Sequence, residues 1–114
     1  MQTTRGKSSF YVGTLELLML QTLKWGPMHG YAIGQWIAAK SDGVLQVEEG
    51  ALYPALHRLE NRKLVTSEWG TTDSNRRAKF YRITPKGMSH LDRESARWDE
   101  HAKAVVAVLA SSRS

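Results

Sequence analysis

Cysteine is absent from the 114 residues. Disulfide frameworks, thiolate zinc sites and cysteine nucleophiles are therefore excluded, and the redox compartment stays open, with the cytosol as the default. The four histidines, His29, His57, His90 and His101, show no metal-ligand spacing, and no serine sits in a nucleophile-elbow pattern. Gly26-Pro27-Met28-His29-Gly30 matches no glycine-rich phosphate loop. These absences predict no enzymatic activity, no metal and no cofactor. Long apolar runs are missing as well: after the polar, basic start Met1 to Ser9, the apolar stretch is broken by Glu16 and Gln21 and is too short to span a membrane. Neither a signal peptide nor a membrane anchor is expected, and the expected location is cytoplasmic.

What is present is basic. A net charge of +5 and an isoelectric point near 9.7 favour a polyanionic partner, either nucleic acid or an acidic membrane surface. The length suits one domain with an appended helix. The expected organisation is a flexible basic arm over residues 1–9, a compact domain over 10–83, a helix over 84–110 and a frayed tail over 111–114.

Helical periodicity marks three elements in the domain. Leu15, Leu17, Leu18, Met19, Leu20 and Leu23 wrap most of a helix from Thr14 to about Trp25, more apolar surface than one interface needs, so this helix is expected to be buried on two sides. Gly26-Pro27 ends it, and a second helix from about Gly30 to Lys40 presents Ile33, Trp36 and Ile37 on one face. A third, from Glu49 to about Lys63, carries Leu52, Ala55, Leu56 and Leu59 on one side and Tyr53, His57 and Asn61 on the other. Pro54 is tolerated if it falls near the first turn, where amide donors have no helical partner. Two strands follow, Leu64 to Trp69 and Ala78 to Ile83, joined by the turn formers of residues 70–75. Thr84-Pro85 then reads as an N-cap with proline at the first helical position. The predicted fold is mainly α with a small β-hairpin: a winged helix-turn-helix plus a C-terminal dimerisation helix.

The candidate site residues fall on the third helix and the hairpin. Arg76, Arg77, Lys79 and Arg82 crowd one end of the strand pair, an electropositive tip suited to phosphate or a narrow minor groove. The bland alternative is a solvated hairpin. Ala51 and Tyr53 lie near the helix N-terminus that would enter a major groove, with His57 one turn on and Tyr31 at the start of the second helix joining the DNA-facing set. Tyr53 is either a phosphate donor or a half-buried packing residue, and Arg58 either contacts phosphate or pairs with a carboxylate. On the last helix Met88, Leu91, Ser95, Trp98, Ala102, Val105 and Leu109 repeat by sevens, the seam of a helix packed lengthwise on a partner chain or back on its own domain. Trp98 on that seam, between small Ser95 and Ala102, either anchors the interface or lines a pocket for a flat ligand.

These residues resemble the PadR family of bacterial transcriptional regulators. The resemblance covers residues 10–109. It lies in Gly13-Thr14-Leu15, Met28-His29-Gly30-Tyr31, the helix Gly50-Ala51-Leu52-Tyr53-Pro54-Ala55-Leu56-His57-Arg58-Leu59, and Arg76-Arg77-Ala78-Lys79-Phe80-Tyr81-Arg82-Ile83-Thr84 with Gly87. It implies a homodimer through the last helix and helix one, with Leu15, Met19, Leu91, Trp98, Ala102, Val105 and Leu109 as the dimerisation set, and an inverted-repeat operator, usually bound by a repressor. In some relatives an aromatic compound stacks between paired tryptophans at the dyad. Trp98 corresponds to that position, with Leu17, Phe10 and Ser95 around it, although Ser95 stands where some relatives have another aromatic. Lys63 likewise replaces the family's glycine near the end of helix three, so its cap is expected to differ.

The reading that follows is a sequence-specific, homodimeric DNA-binding regulator, a repressor of double-stranded operator DNA with a small aromatic effector or none, and no membrane partner. The alternatives are a winged-helix protein-interaction module and a nonspecific architectural DNA-binding protein.

Overall fold

The computed structural model describes residues 13–113. In chain order it contains α1 (Thr14–Leu23), β1 (Met28–His29), α2 (Gly30–Lys40), α3 (Glu49–Asn61), β2 (Val65–Thr71), β3 (Arg77–Ile83) and α4 (Pro85–Ala110). The strands form one antiparallel sheet in the order β1-β3-β2, so the architecture is the winged helix-turn-helix with a long final helix. The hairpin was expected; β1 was not. Two residues carry no readable period, and Met28 and His29 become a strand only because Tyr81 and Phe80 of β3 lie beside them.

Each helix follows its sequence signals with small shifts. α1 stops at Leu23, two residues before Trp25, because Lys24 and Gly26 tighten the last turn by bonding the carbonyls of Gln21 and Leu23. Its buried Thr22 donates its hydroxyl to the Leu18 carbonyl at 2.9 Å, which satisfies that polar group within the core. α2 is capped by His29, whose Nδ1 accepts from the Ala32 amide. α3 buries Leu52, Ala55, Leu56 and Leu59, the face the periodicity assigned to the core. Pro54 lies farther inside α3 than expected, at the sixth helical residue, one turn past Gly50. The helix survives because Gly50 is exposed, so water can serve the carbonyl that a residue-54 amide would have bonded.

The core forms where α1, α2 and α3 meet the sheet. α1 packs on α2, α3, β3 and α4, which explains its apolar girth. Leu15, Met19 and Leu91 were expected on a dimer seam; they are instead 7%, 0% and 2% exposed within this protomer's own core. α1 and the first turns of α4 cover each other, so these three side chains are already buried within a single protomer. The rest of α4 leaves the domain. At 26 residues it is about 39 Å long, and it accounts for a molecule measuring 61 × 33 × 23 Å.

One junction ties α3, the wing and α4 together. Lys63 takes φ 65, the left-handed conformation, and the Lys63 and Leu64 amides donate to the Glu60 and Leu59 carbonyls, the paired bonds of a Schellman cap with lysine in the glycine position. Thr84, at the end of β3, donates its amide to the Leu64 carbonyl and its hydroxyl to the Lys63 carbonyl at 2.8 Å. The same hydroxyl oxygen accepts from the Gly87 amide as the N-cap of α4, and Lys86 Nζ donates to the Arg62 carbonyl. Gly87 presses so closely on this turn that a Cβ there would stand 2.2 Å from the Leu64 carbonyl oxygen. Thr84→Ala is therefore expected to cost about 1–2 kcal/mol of stability. Gly87→Ala should cost about 3 kcal/mol, since backbone and not a flexible side chain has to move. Urea titrations with unchanged slopes check both, and a Gly87→Ala midpoint equal to wild type would remove the close contact from the account.

Candidate nucleic-acid interface

A cleft of about 810 Å³ opens between α3 and the wing. Its floor comes from the N-terminal turn of α2 (His29, Gly30, Tyr31) and from Tyr81; one wall is Tyr53 and His57 of α3, and the other is Trp69, Thr72, Ser74, Arg76, Arg77, Ala78 and Lys79 of the wing. No carboxylate lines it. Three fixed cations thus face a polar helix stripe across a concave, water-accessible surface, and a linear polyanion is the ligand class such a surface suits.

Local sequence explains each wall. Tyr53, His57 and Asn61 are exposed because their neighbours on α3 face the core. Gly30 lets the Tyr53 ring approach, since a Cβ at residue 30 would lie 2.8 Å from the Tyr53 ring. The wing turn is closed by reciprocal bonds: the Thr72 amide donates to the Arg76 carbonyl at 2.8 Å, the Arg76 amide donates to the Thr72 hydroxyl, and the Asn75 amide donates to the Thr72 carbonyl. Asn75 supplies the left-handed φ of 63 that this turn needs. The register that results pairs Trp69 with Lys79 and Thr71 with Arg77, and strand alternation sets Trp69, Arg77, Lys79 and Tyr81 on one face. Tyr81 is buried at the inner end of that face, and its desolvation, reinforced by the charge of Glu60, raises its pKa, so the phenol stays protonated.

Not every expected residue joins the cleft. Tyr31, Tyr53, His57, Arg76, Arg77 and Lys79 do. Arg82 does not: it alternates to the back of the wing, beside Pro27, Glu68 and Phe80. Arg58 turns toward α1, where its Nε donates to Glu16 at 2.7 Å, the carboxylate-pairing alternative. Ala51 is half-buried and packs against the core, because it stands one turn before the buried Ala55 on the side of α3 that turns inward. Trp69 was missed altogether. As the last residue of an expected strand it carried no signal by itself, and only the hairpin register shows that it shares a face with Arg77 and Lys79.

On α4, Ser95 and Trp98 are exposed, the Trp98 ring lies tilted with its centroid 5.9 Å from that of His101, and Ala102 is half-buried; on α1, Leu17 is half-buried against the core. Phe10, also expected near this tryptophan, lies outside the described residues. Among the described residues no three His, Asp or Glu side chains gather as a metal site, and no helix is long and apolar enough to cross a membrane.

Fold and cleft together define a winged-helix protein of the DNA-binding class. Residues 19–93 match the family model of the PadR-like transcriptional regulators, and the chain belongs to that family. Among solved structures it is similar to a transcriptional regulator from Clostridium thermocellum, with 30% identity, a TM-score of 0.75, and 87% of this chain and 95% of that one covered. It is also similar to a PadR family transcriptional regulator from Eggerthella lenta, with 33% identity, a TM-score of 0.74, and 88% and 85% covered. The transcriptional regulator Rv3488 of Mycobacterium tuberculosis is 36% identical over 74 residues, which are 64% of this chain and 68% of that protein.

The close seat of Tyr53 on Gly30 has a direct check. Gly30→Ala is expected to displace the exposed Tyr53 ring with little loss of stability, because the atoms in the way are the far end of that side chain. Unmoved Tyr53 ring resonances in its NMR spectrum would mean that α2 gives way instead.

Proposed function

We propose that this regulator is a homodimeric repressor that binds an inverted-repeat operator, with α3 entering the major groove and the wing cations set on phosphate or in the minor groove. The observation that carries the reading is the carboxylate-free cleft between the polar stripe of α3 and Arg76, Arg77 and Lys79. In this reading Tyr53 and His57 meet base edges or phosphate, Tyr31 meets backbone beside them, and the protein acts without catalysis in the bacterial cytoplasm, where the DNA lies. Ala51 and Arg58, packed on the core and paired with Glu16 respectively, are left with supporting roles.

Dimerisation is assigned to the outer part of α4. Trp98, Val105 and Leu109, on the seven-residue seam with half-buried Ala102, are 43%, 41% and 79% exposed, and Val106 and Val108 beside them are more than half exposed. An apolar strip of this kind on an isolated helix favours burial against a second copy. Two-fold symmetry then predicts a near-palindromic site. A flat aromatic effector would stack on Trp98 at this seam.

Fluorescence-anisotropy titration against the protein's own promoter, with random DNA as competitor and at several salt concentrations, tests the function. Saturable binding that survives competitor, with two chains per site, is the expected result. Arg76→Ala should weaken binding to all sequences and lower the salt slope by about 0.9 per lost phosphate contact. Tyr53→Phe should instead change the ranking of operator variants. Binding abolished equally by random DNA would point to an architectural protein, and none at low salt to a protein-docking module. Val105→Asp is expected to convert the dimer to a monomer in light scattering, and an unchanged mass would move the interface off α4. Ligand quenching that persists in Trp98→Phe would place an effector elsewhere.

A further inference from the structure

Trp69 is 57% exposed on the wing, and neither the core nor the contacts proposed above use it. Its neighbours are cations. The Arg77 guanidinium carbon lies 4.8 Å from the Trp69 ring centroid and Lys79 Nζ lies 5.9 Å from it. Arg77 and Lys79 stand two residues apart on one face of β3, where like charges repel, and the negative face of the indole offers each a compensating contact. A guanidinium that stacks spends its flat face on the ring and keeps its N–H donors free along its edge. Among the described residues Arg77 pairs with no carboxylate. The edge donors therefore remain available to an acceptor in the cleft.

We propose that Trp69 is a positioning residue of the nucleic-acid interface, holding the Arg77 guanidinium over its ring so that free N–H donors meet a backbone phosphate in a restricted orientation. The inference rests on the DNA-binding reading. Without the ring, Arg77 keeps its charge but must lose side-chain freedom on binding, so affinity falls although no cation has been removed.

A double-mutant cycle on the full chain, titrated against the labelled promoter duplex over a salt series, tests this. Trp69→Ala should weaken binding about two- to fivefold, the range of an exposed cation–π contact. It should leave the salt slope at the wild-type value, since Arg77 keeps its charge and still reaches phosphate, whereas Arg77→Ala lowers it. Trp69→Ala should add nothing further in an Arg77→Ala background, while Trp69→Phe keeps most of the affinity. In the free protein, the Arg77 Nε–H resonance should carry a ring-current shift that Trp69→Ala removes and Trp69→Phe partly retains. Losses that add in the double mutant would overturn the proposal and give the indole a direct contact of its own. A wild-type protein that binds no duplex at any salt, with the ring-current shift intact, would sink the DNA-binding reading and this role with it. An Arg77 ring-current shift that survives in Trp69→Ala would come from another ring and would overturn the positioning role alone.

Discussion

The bonds between the end of α3 and the start of α4 are the constraint on which the geometry of this protein depends. Thr84 serves two elements at once, capping α4 through the Gly87 amide and holding the Lys63 and Leu64 carbonyls at the exit of α3. Because β2 and β3 begin and end at the same place, the helix that faces the cleft, the wing and the long outer helix all leave from one hydrogen-bonded turn. The approach of Gly87 to the Leu64 carbonyl leaves no room for a side chain, so the direction of α4 is set by backbone contact and not by adaptable packing. In a dimer built on α4, that direction would determine how far apart two copies of α3 stand.

Lys63 shows how strongly the junction dominates local preference. A lysine at φ 65 is strained by roughly 1–2 kcal/mol relative to right-handed backbone, a conformation glycine takes freely. The expectation that replacing glycine would alter this cap is met only in the side chain: the backbone keeps its left-handed turn. Two cap bonds, the Thr84 hydroxyl and the amide of Thr84 together outweigh the strain. The cleft uses the opposite strategy. Gly30 leaves the space that the Tyr53 ring fills, and on the back of the wing Gly70 does the same for Phe80, whose ring lies 2.9 Å from where a Cβ would be. Small residues here shape a surface made by large ones.

The charge balance of the cleft has the same tertiary origin. Eleven acidic residues occur in the chain, yet none lines the cleft. Glu16 is drawn to Arg58 on the far side of α3, Glu60 accepts from Ser67 at 2.7 Å, and Glu68 alternates to the back of the wing. His90, near the junction, has its pKa lowered by burial and by the nearby Arg62 charge, so it favours the neutral form and adds no cation to that side of the molecule. Positive potential is thereby concentrated where Arg76, Arg77 and Lys79 face Tyr53 and His57.

Much of this was legible in the sequence. The buried face of α3, its exposed stripe of Tyr53, His57 and Asn61, the start of α4 at Thr84-Pro85 and the hairpin were readable because helical period, capping chemistry and turn residues act within a few positions of the chain. Which apolar residues stay uncovered was not: Leu91 shares the seven-residue period of Trp98 and Val105, and Leu15 and Met19 lie on an equally apolar helix, but α1 and the start of α4 cover each other and leave Trp98 and Val105 open. Nor could spacing assign Arg58 to Glu16, 42 positions away, separate Arg82 from Arg77, or find Trp69 and β1. Those outcomes depend on strand register and helix docking, where contacts between distant residues decide which side of an element is covered. Sequence by itself determined the elements, their inward faces and the basic character of the wing. Only the tertiary structure decided which charges meet across the cleft and which apolar surface is left over, because both are set by neighbours that the chain brings together from far apart.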